Sequence, residues 1–105
     1  MSTSYPNTNL YIDGRWQPAA SGDTIDVINP ANEEVIGTVA RAGTSDLDEA
    51  LSAADKAFKI WKNTSAFDRY KILRKAADLL RKRADIIAQI MTIEQGKPLA
   101  ESKGE

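Results

Sequence analysis

Residues 34–61, EVIGTVARAGTSDLDEALSAADKAFKIW, decide the fold because the spacing of the apolar residues changes within them. Residues 34–40 are rich in Val and Ile and are typical of a β-strand, with a bulge predicted at Gly37. After Gly43 the apolar residues recur every three to four positions, which indicates an amphipathic helix capped by Ser45. Its apolar stripe contains Leu47, Ala50, Leu51, Ala54, Phe58 and Trp61. The stretch therefore predicts an α/β chain.

Two further strands are predicted before this stretch. Residues 10–16, LYIDGRW, alternate in polarity and contain Asp13-Gly14, a dipeptide that favours a tight hairpin turn. Residues 24–28 form a second strand that ends at Pro30, because proline cannot donate a hydrogen bond to a sheet. Residues 1–9 are polar and contain a proline, so a flexible N-terminus is predicted there. The strands are short, and we expect them to be antiparallel.

Two or three more helices are predicted after it. Ser65 begins a second helix, with Asp68 three residues on as in a capping box, and its wide apolar arc indicates partners on more than one side. A third helix ends at Gly96. It contains Ile86, Ile87, Ile90 and Met91. A fourth helix begins near Pro98 and has no stop signal, so we expect the chain to be truncated at Glu105.

The composition excludes several classes of function. The 105 residues suit one small domain, and a formal net charge of −1 gives no field that would attract nucleic acid. No apolar run approaches the roughly 20 residues of a membrane span, and the start does not resemble a signal peptide, so we expect a cytoplasmic protein. The chain has no cysteine, no histidine and no glycine-rich phosphate loop. It therefore offers no catalytic residue and no cofactor-binding residue.

Charged residues in runs and pairs fit structural roles. Residues 81–83, RKR, lie where the second helix should end, and cations are favoured there by the helix dipole. A phosphate or nucleic-acid contact is the alternative, but no aromatic residues are interleaved with the run. The acidic pairs at 33–34 and 46–48 lie in a turn and at a helix start, where capping explains them.

Glu94 is harder to explain as a purely structural residue. It lies in the last turn of the third helix, where the dipole disfavours negative charge by up to about 1 kcal/mol. A lysine, water or a bound cation would offset this cost, and an exposed or lysine-paired glutamate needs no ligand. Lys97 follows Gly96, and we expect it to reach back to the free carbonyls of that helix.

Three segments together resemble the aldehyde dehydrogenase family. Residues 10–16, LYIDGRW, resemble its opening strand. Residues 27–37, VINPANEEVIG, resemble its strand-turn-strand around Asn-Pro, with Asn32-Glu33 where Thr-Gly is commoner. Residues 94–105, EQGKPLAESKGE, resemble its helix-turn-helix around Gly-Lys-Pro and are most similar to succinate-semialdehyde dehydrogenases. The resemblance implies that residues 10–105 are the N-terminal part of the cofactor-binding domain of an NAD(P)-dependent aldehyde dehydrogenase.

The resemblance also implies where the working parts of such an enzyme lie. In the family the nucleophilic cysteine, the general-base glutamate, the oxyanion-hole asparagine and the coenzyme contacts come from later in the chain. NAD or NADP is therefore expected in the full-length parent, a homo-oligomer, and not in this chain alone, whose expected partner is the rest of the enzyme. One family site reaches this segment: a monovalent cation held by the backbone carbonyls of Val27 and Ile28 and by Glu94.

Two hypotheses for function follow. In the first, the parent enzyme oxidises an aldehyde, with succinate semialdehyde the expected substrate, to a carboxylic acid with NAD(P). This chain alone is then expected to be inactive and marginally stable, because its second helix lacks the domain that would cover it. In the second, the chain is a non-catalytic helical interaction module or a truncated relic.

Overall fold

Four short strands are followed by four helices. The computed structural model describes residues 4–105. The strands are β1 (Leu10–Ile12), β2 (Arg15–Gln17), β3 (Thr24–Ile28) and β4 (Val35–Ala40). The helices are α1 (Thr44–Trp61), α2 (Ala66–Lys82), α3 (Ala84–Gln95) and α4 (Leu99–Gly104). The predicted α/β class, with short antiparallel strands before the helices, is confirmed. Within residues 4–105 no helix is long and apolar enough to cross a membrane.

Strands β1 and β2 form the predicted hairpin. Its two turn residues, Asp13 and Gly14, have φ angles of 53° and 76°. Two consecutive positive φ angles match the right-handed twist of a two-residue hairpin, and Asp and Gly tolerate them better than most residues. Tyr11 lies opposite Trp16, with ring centroids 4.8 Å apart. Turn chemistry and a cross-strand aromatic pair therefore act together to close the hairpin.

Strands β3 and β4 form a second antiparallel pair with a change of register. Val27 lies opposite Gly37, whereas Ile28 lies opposite Val35, so Ile36 is the extra residue of a bulge. The prediction placed this bulge at Gly37, one residue later. Gly37 is paired instead, and its missing side chain makes room for an aromatic ring, as described below.

The described part of the N-terminal segment lies along β4. The Thr8 amide donates to the Thr38 carbonyl (2.9 Å), and the Ala40 amide donates to the Thr8 carbonyl (2.8 Å). The Asn7 side chain accepts from the Thr38 amide at 3.0 Å. Thr8 thus adds a parallel bridge to the β3–β4 sheet. The prediction of a flexible terminus also covered residues 1–3, which lie outside the described residues.

Helix α1 begins differently from the prediction. It starts at Thr44, with Gly43 rather than Ser45 as the N-cap residue. The buried carboxylate of Asp46 accepts from the Gly43 amide (2.9 Å) and from the Ala20 amide (3.1 Å). A carboxylate in the first turn can satisfy the N-cap amide and also interacts favourably with the positive end of the helix dipole. The prediction of Ser45 as the N-cap residue is therefore wrong, and Asp46 binds the N-cap amide from the first turn and also fixes the loop after β2.

The apolar stripe of α1 does not form the core of the chain. Helix α1 contacts β1, and two small residues of the stripe, Ala50 and Ala54, line the same groove as Tyr11 and Ile12. Within the described residues the buried apolar side chains are few. They are Ile12, Ala19 and Ala88. Two large side chains of the stripe, Leu51 and Phe58, are about 60 % exposed.

Helices α2, α3 and α4 differ in how they are packed. Ser65 caps α2 as predicted, accepting from the Asp68 amide at 3.1 Å, but no residue of α2 is buried. Helices α3 and α4 pack on each other, and the Thr92 and Ser102 hydroxyls lie 2.9 Å apart. The chain forms a plate of 48 × 36 × 16 Å with a radius of gyration of 17.0 Å. A compact domain of this length would have about 13 Å.

Candidate functional site

The turn between β3 and β4 is held by backbone hydrogen bonds. The Asn29 amide donates to the Glu34 carbonyl (2.9 Å), and the Glu33 amide donates to the Asn29 carbonyl (2.8 Å). Glu33 adopts a φ of 62°, and this positive angle lets the chain reverse its direction within the turn. Val27 and Ile28, the predicted cation ligands, lie at the end of β3 directly before this turn. Their backbone is therefore held by the pairing with β4 and by the turn that follows.

The end of helix α3 contacts the same turn. Gly96 caps the helix in the left-handed region, with φ 77°, and its amide donates to the Thr92 carbonyl at 2.8 Å. A Cβ atom at Gly96 would lie 2.9 Å from Cγ of Pro30. Both the backbone conformation and the approach of Pro30 therefore require glycine here. This contact brings the last turn of α3, with Glu94, beside the end of β3.

Tyr5 links the N-terminal segment to both elements. Its hydroxyl donates to Oε2 of Glu94 at 2.9 Å. Its ring covers Gly37, where a Cβ atom would lie 2.6 Å from Cδ1 of the ring. Burial raises the pKa of Tyr5, and the hydrogen bond to Glu94 and the charge of that carboxylate raise the pKa further. We call Tyr5, Pro30, Gly37, Glu94 and Gly96 the strand–helix junction.

The structure shows which partner Glu94 has within the chain. The carboxylate of Glu94 accepts a hydrogen bond from the Tyr5 hydroxyl, and this partner is not the lysine that was considered from the sequence. The ammonium of Lys97 pairs with the Glu105 carboxylate instead of the α3 carbonyls, so the predicted role of Lys97 is wrong. Sequence reasoning missed Tyr5 because it lies in the segment predicted to be flexible. A glycine inside a strand often marks the close approach of another group, so Gly37 was the feature of the sequence that could have predicted a contact here.

The donor set of the junction limits the ligands that it can bind. Residues 4–105 contain no group of three or more His, Cys, Asp or Glu side chains that could hold a metal ion. What the junction offers is one carboxylate, on Glu94, beside the strand end that contains Val27 and Ile28. A site made of carbonyl oxygens and one carboxylate suits a monovalent cation such as K⁺ better than a transition metal. Without cysteine or histidine in the chain, the junction has no thiol or imidazole for catalysis.

A second feature lies on helices α1 and α2. Six of their exposed apolar residues, which we call the α1–α2 surface, are 37–62 % exposed: Leu47, Leu51, Phe58, Trp61, Tyr70 and Leu73. The four α1 residues share one face by helical spacing, and Trp61 borders a groove with Tyr70 and Leu73. Arg69 lies in this groove, and its buried Nε has no hydrogen-bond partner among the described residues. The groove beside Trp61 is therefore apolar and open, and it contains a buried donor without a partner among the described residues.

Comparisons with known proteins place these features in one family. The aldehyde dehydrogenase family model matches residues 16–105. A glutarate-semialdehyde dehydrogenase from Pseudomonas putida is 50% identical over 95 residues, which cover 90% of this chain and 20% of the relative. The chain spans about a fifth of the length of the curated relatives it matches.

Solved structures agree with the sequence comparisons. An aldehyde dehydrogenase from Brucella melitensis biovar abortus superposes with a TM-score of 0.92 at 47% identity, covering 98% of this chain and 21% of that one. A betaine aldehyde dehydrogenase mutant from Staphylococcus aureus, solved with NAD⁺, gives a TM-score of 0.89 at 37% identity, covering 93% of this chain and 20% of that one. Three motifs in the sequence predicted this outcome, and the chain belongs to the aldehyde dehydrogenase family.

Proposed function

We propose that this chain is the N-terminal portion of an NAD(P)-dependent enzyme that oxidises a semialdehyde to a dicarboxylic acid. The observation that carries the proposal is the 50% identity to a glutarate-semialdehyde dehydrogenase. Glutarate semialdehyde is one methylene longer than succinate semialdehyde, the substrate predicted from the residues around Gly96. Both pair an aldehyde with a distant carboxylate, and we propose this class of substrate for the whole protein.

In this proposal the chain positions the catalytic domain and takes no part in the chemical step. The coenzyme would accept the hydride. The groups that bind the coenzyme and the substrate would lie outside residues 1–105. The partners proposed for the chain are the rest of its own polypeptide and, through it, further copies of the enzyme. The purified 105-residue chain should therefore give no reduced coenzyme with NAD⁺ or NADP⁺ and either semialdehyde, and detectable reduction would contradict the proposal.

We further propose that the strand–helix junction helps to hold a monovalent cation. The carbonyls of Val27 and Ile28 and the carboxylate of Glu94 would be its ligands. Two contacts support this proposal. Pro30 packs against Gly96, and Tyr5 donates a hydrogen bond to Glu94, so the end of β3 and the end of α3 lie close together. The cation would neutralise Glu94 at the negative end of the α3 dipole, where the last turn contains no basic residue.

A fusion protein tests the proposed enzyme function. This chain would replace the corresponding segment of the Pseudomonas putida relative, and NAD(P)H formation would be followed with both semialdehydes. Activity well above that of the relative lacking the segment is expected, because half of the aligned residues are identical. A folded fusion with no activity, beside an active intact relative, would favour the non-catalytic interaction module.

The cation proposal is tested by stability, independently of turnover. The melting temperature of the fusion should rise when K⁺ or Na⁺ replaces a bulky organic cation at constant ionic strength. Glu94→Gln should remove most of this rise, whereas Glu101→Gln, at an exposed position of α4, should leave it unchanged. Equal responses of the two variants would show that the salt acts elsewhere.

A further inference from the structure

Tyr5 contacts two parts of the strand–helix junction that lie next to the proposed cation ligands. Its ring lies against Gly37, since a Cβ atom there would be 2.6 Å from Cδ1 of the ring. Gly37 is paired with Val27 between β4 and β3. The Tyr5 hydroxyl donates to Oε2 of Glu94 at 2.9 Å. One side chain therefore packs on the pairing partner of one proposed ligand and binds the carboxylate of another.

Glu94 has little else to hold its side chain in place. The residue is exposed, and the last turn of α3 contains no basic residue that could pair with it. A glutamate that rotates freely loses rotamer freedom when it binds a ligand, and this loss weakens binding. A side chain that is already held before the ligand arrives avoids much of that cost. The hydrogen bond from Tyr5 should therefore increase the affinity of Glu94 for a cation.

The hydrogen bond also leaves Glu94 able to bind a cation. It uses Oε2, and an ionised carboxylate has two oxygens that together offer about four acceptor sites. The donor is a hydroxyl that is neutral near pH 7, so the carboxylate keeps its negative charge, which a lysine partner would have neutralised. Tyr5 thus orients the carboxylate without removing the charge that attracts a cation.

The segment that contains Tyr5 is bound to the same strand as its ring. The Thr8 amide donates to the Thr38 carbonyl at 2.9 Å, and Asn7 Oδ1 accepts from the Thr38 amide at 3.0 Å. These contacts lie two and three positions after Tyr5, and they tie the backbone of the segment to β4 beside Gly37. The hydroxyl therefore reaches Glu94 from a ring and a backbone that are both attached to the sheet.

We propose that Tyr5 is a positioning residue for the monovalent cation: its ring, packed on Gly37, fixes the hydroxyl that orients the Glu94 carboxylate beside the end of β3. The inference rests on the cation site of the proposed function. It gives the N-terminal segment, which supplies none of the proposed ligands, a part in setting the affinity for the cation. The family model matches residues 16–105, so Tyr5 lies outside the matched segment.

The test is the dissociation constant for K⁺ in the fusion with the Pseudomonas putida relative. This constant is obtained from the rise in melting temperature as K⁺ replaces a bulky organic cation at constant ionic strength. Tyr5→Phe keeps the ring and removes only the hydroxyl, so the constant should increase about fivefold, as expected for one hydrogen bond. Tyr11→Phe is the matched control. It removes a hydroxyl from an exposed ring and should leave the constant unchanged.

The same titration separates positioning from general stabilisation. If the Tyr5 hydroxyl had a purely structural role, Tyr5→Phe would lower the melting temperature equally with and without K⁺. In a positioning role the loss is larger with K⁺, because the variant also binds the cation more weakly.

The outcomes also separate this inference from the cation site on which it rests. If Tyr5→Phe binds K⁺ as tightly as the parent fusion, while Glu94→Gln removes the rise, only the role of Tyr5 is wrong. That role is also wrong if Tyr5→Phe binds K⁺ more tightly, because the hydroxyl would then compete with the cation for the carboxylate. A parent fusion that does not respond to K⁺ would reject the cation site and this inference with it. None of these readouts depends on turnover, so an inactive but stable fusion would reject only the proposed enzyme function.

Discussion

The strand–helix junction and the α1–α2 surface differ in where their partners come from. At the junction, Tyr5 meets Glu94 and Pro30 meets Gly96, so residues far apart in sequence satisfy each other within the chain. On the α1–α2 surface, large apolar side chains face outward and Arg69 Nε has no acceptor among the described residues. Substitutions at the junction should therefore act on the isolated chain, and those on the surface should act only when a covering polypeptide is present.

Gly96→Val should produce the largest effect on the isolated chain. Valine is strained at a φ of 77°, and its Cβ would collide with Pro30, so the free energy of unfolding should fall by about 3 kcal/mol. Urea denaturation followed by circular dichroism measures this. Gly22→Val is the control, because Gly22 has a φ of 76° but open space around it. Equal losses in the two variants would show that the contact with Pro30 contributes nothing.

Gly37→Ala should have the next largest effect. The new methyl group would overlap the ring of Tyr5, and overpacking of this kind lowers the free energy of unfolding by about 1–3 kcal/mol. In a Tyr5→Ser background the same substitution should cost less, because of the close contacts only Asn7 Oδ1, 3.1 Å from the new methyl carbon, would remain. A double-mutant cycle on the two positions measures the coupling. Zero coupling energy would show that the Tyr5 ring does not pack on Gly37.

Tyr5→Phe should have a smaller effect that depends on pH. Loss of the hydrogen bond to Glu94 should lower the free energy of unfolding by about 1 kcal/mol near neutral pH. Because the pKa of Tyr5 is raised in the folded state, its contribution is present below the ordinary value of 10.0 and is lost as the pH rises through the raised pKa. The two stability curves should therefore converge above about pH 10. Tyr11→Phe controls for removing a hydroxyl from an exposed ring.

Leu51→Gln should have the smallest effect on the isolated chain. Leu51 is 61% exposed, so the free energy of unfolding should change by less than about 0.5 kcal/mol. In the fusion protein the same substitution should lower it by about 1–2 kcal/mol, because burial of the leucine is lost. Denaturation of both proteins gives the comparison. A large loss already in the isolated chain would mean that the surface packs within the chain.

Local features of the fold could be predicted from the sequence, and distant contacts could not. The Asp13-Gly14 turn and the Gly96 cap depend on residues within a few positions, so their chemistry is visible in the sequence. The pairing of Tyr5 with Glu94 spans 89 positions, and no periodicity encodes it. The helical spacing of Leu51 and its neighbours showed an apolar face but not what would cover it. The family, in contrast, followed from motifs whose order and wording are specific, and the comparisons confirm it.

Asp46 has a consequence for the way in which the chain opens. Its carboxylate accepts from the amides of Ala20 and Gly43, which belong to the loop after β2 and to the start of α1. Neither amide can exchange its hydrogen with solvent until the carboxylate is released, so the two should exchange together as one cooperative unit. The loop after β2 and the first turn of α1 are therefore expected to open in a single step, although 26 positions separate Ala20 from Asp46.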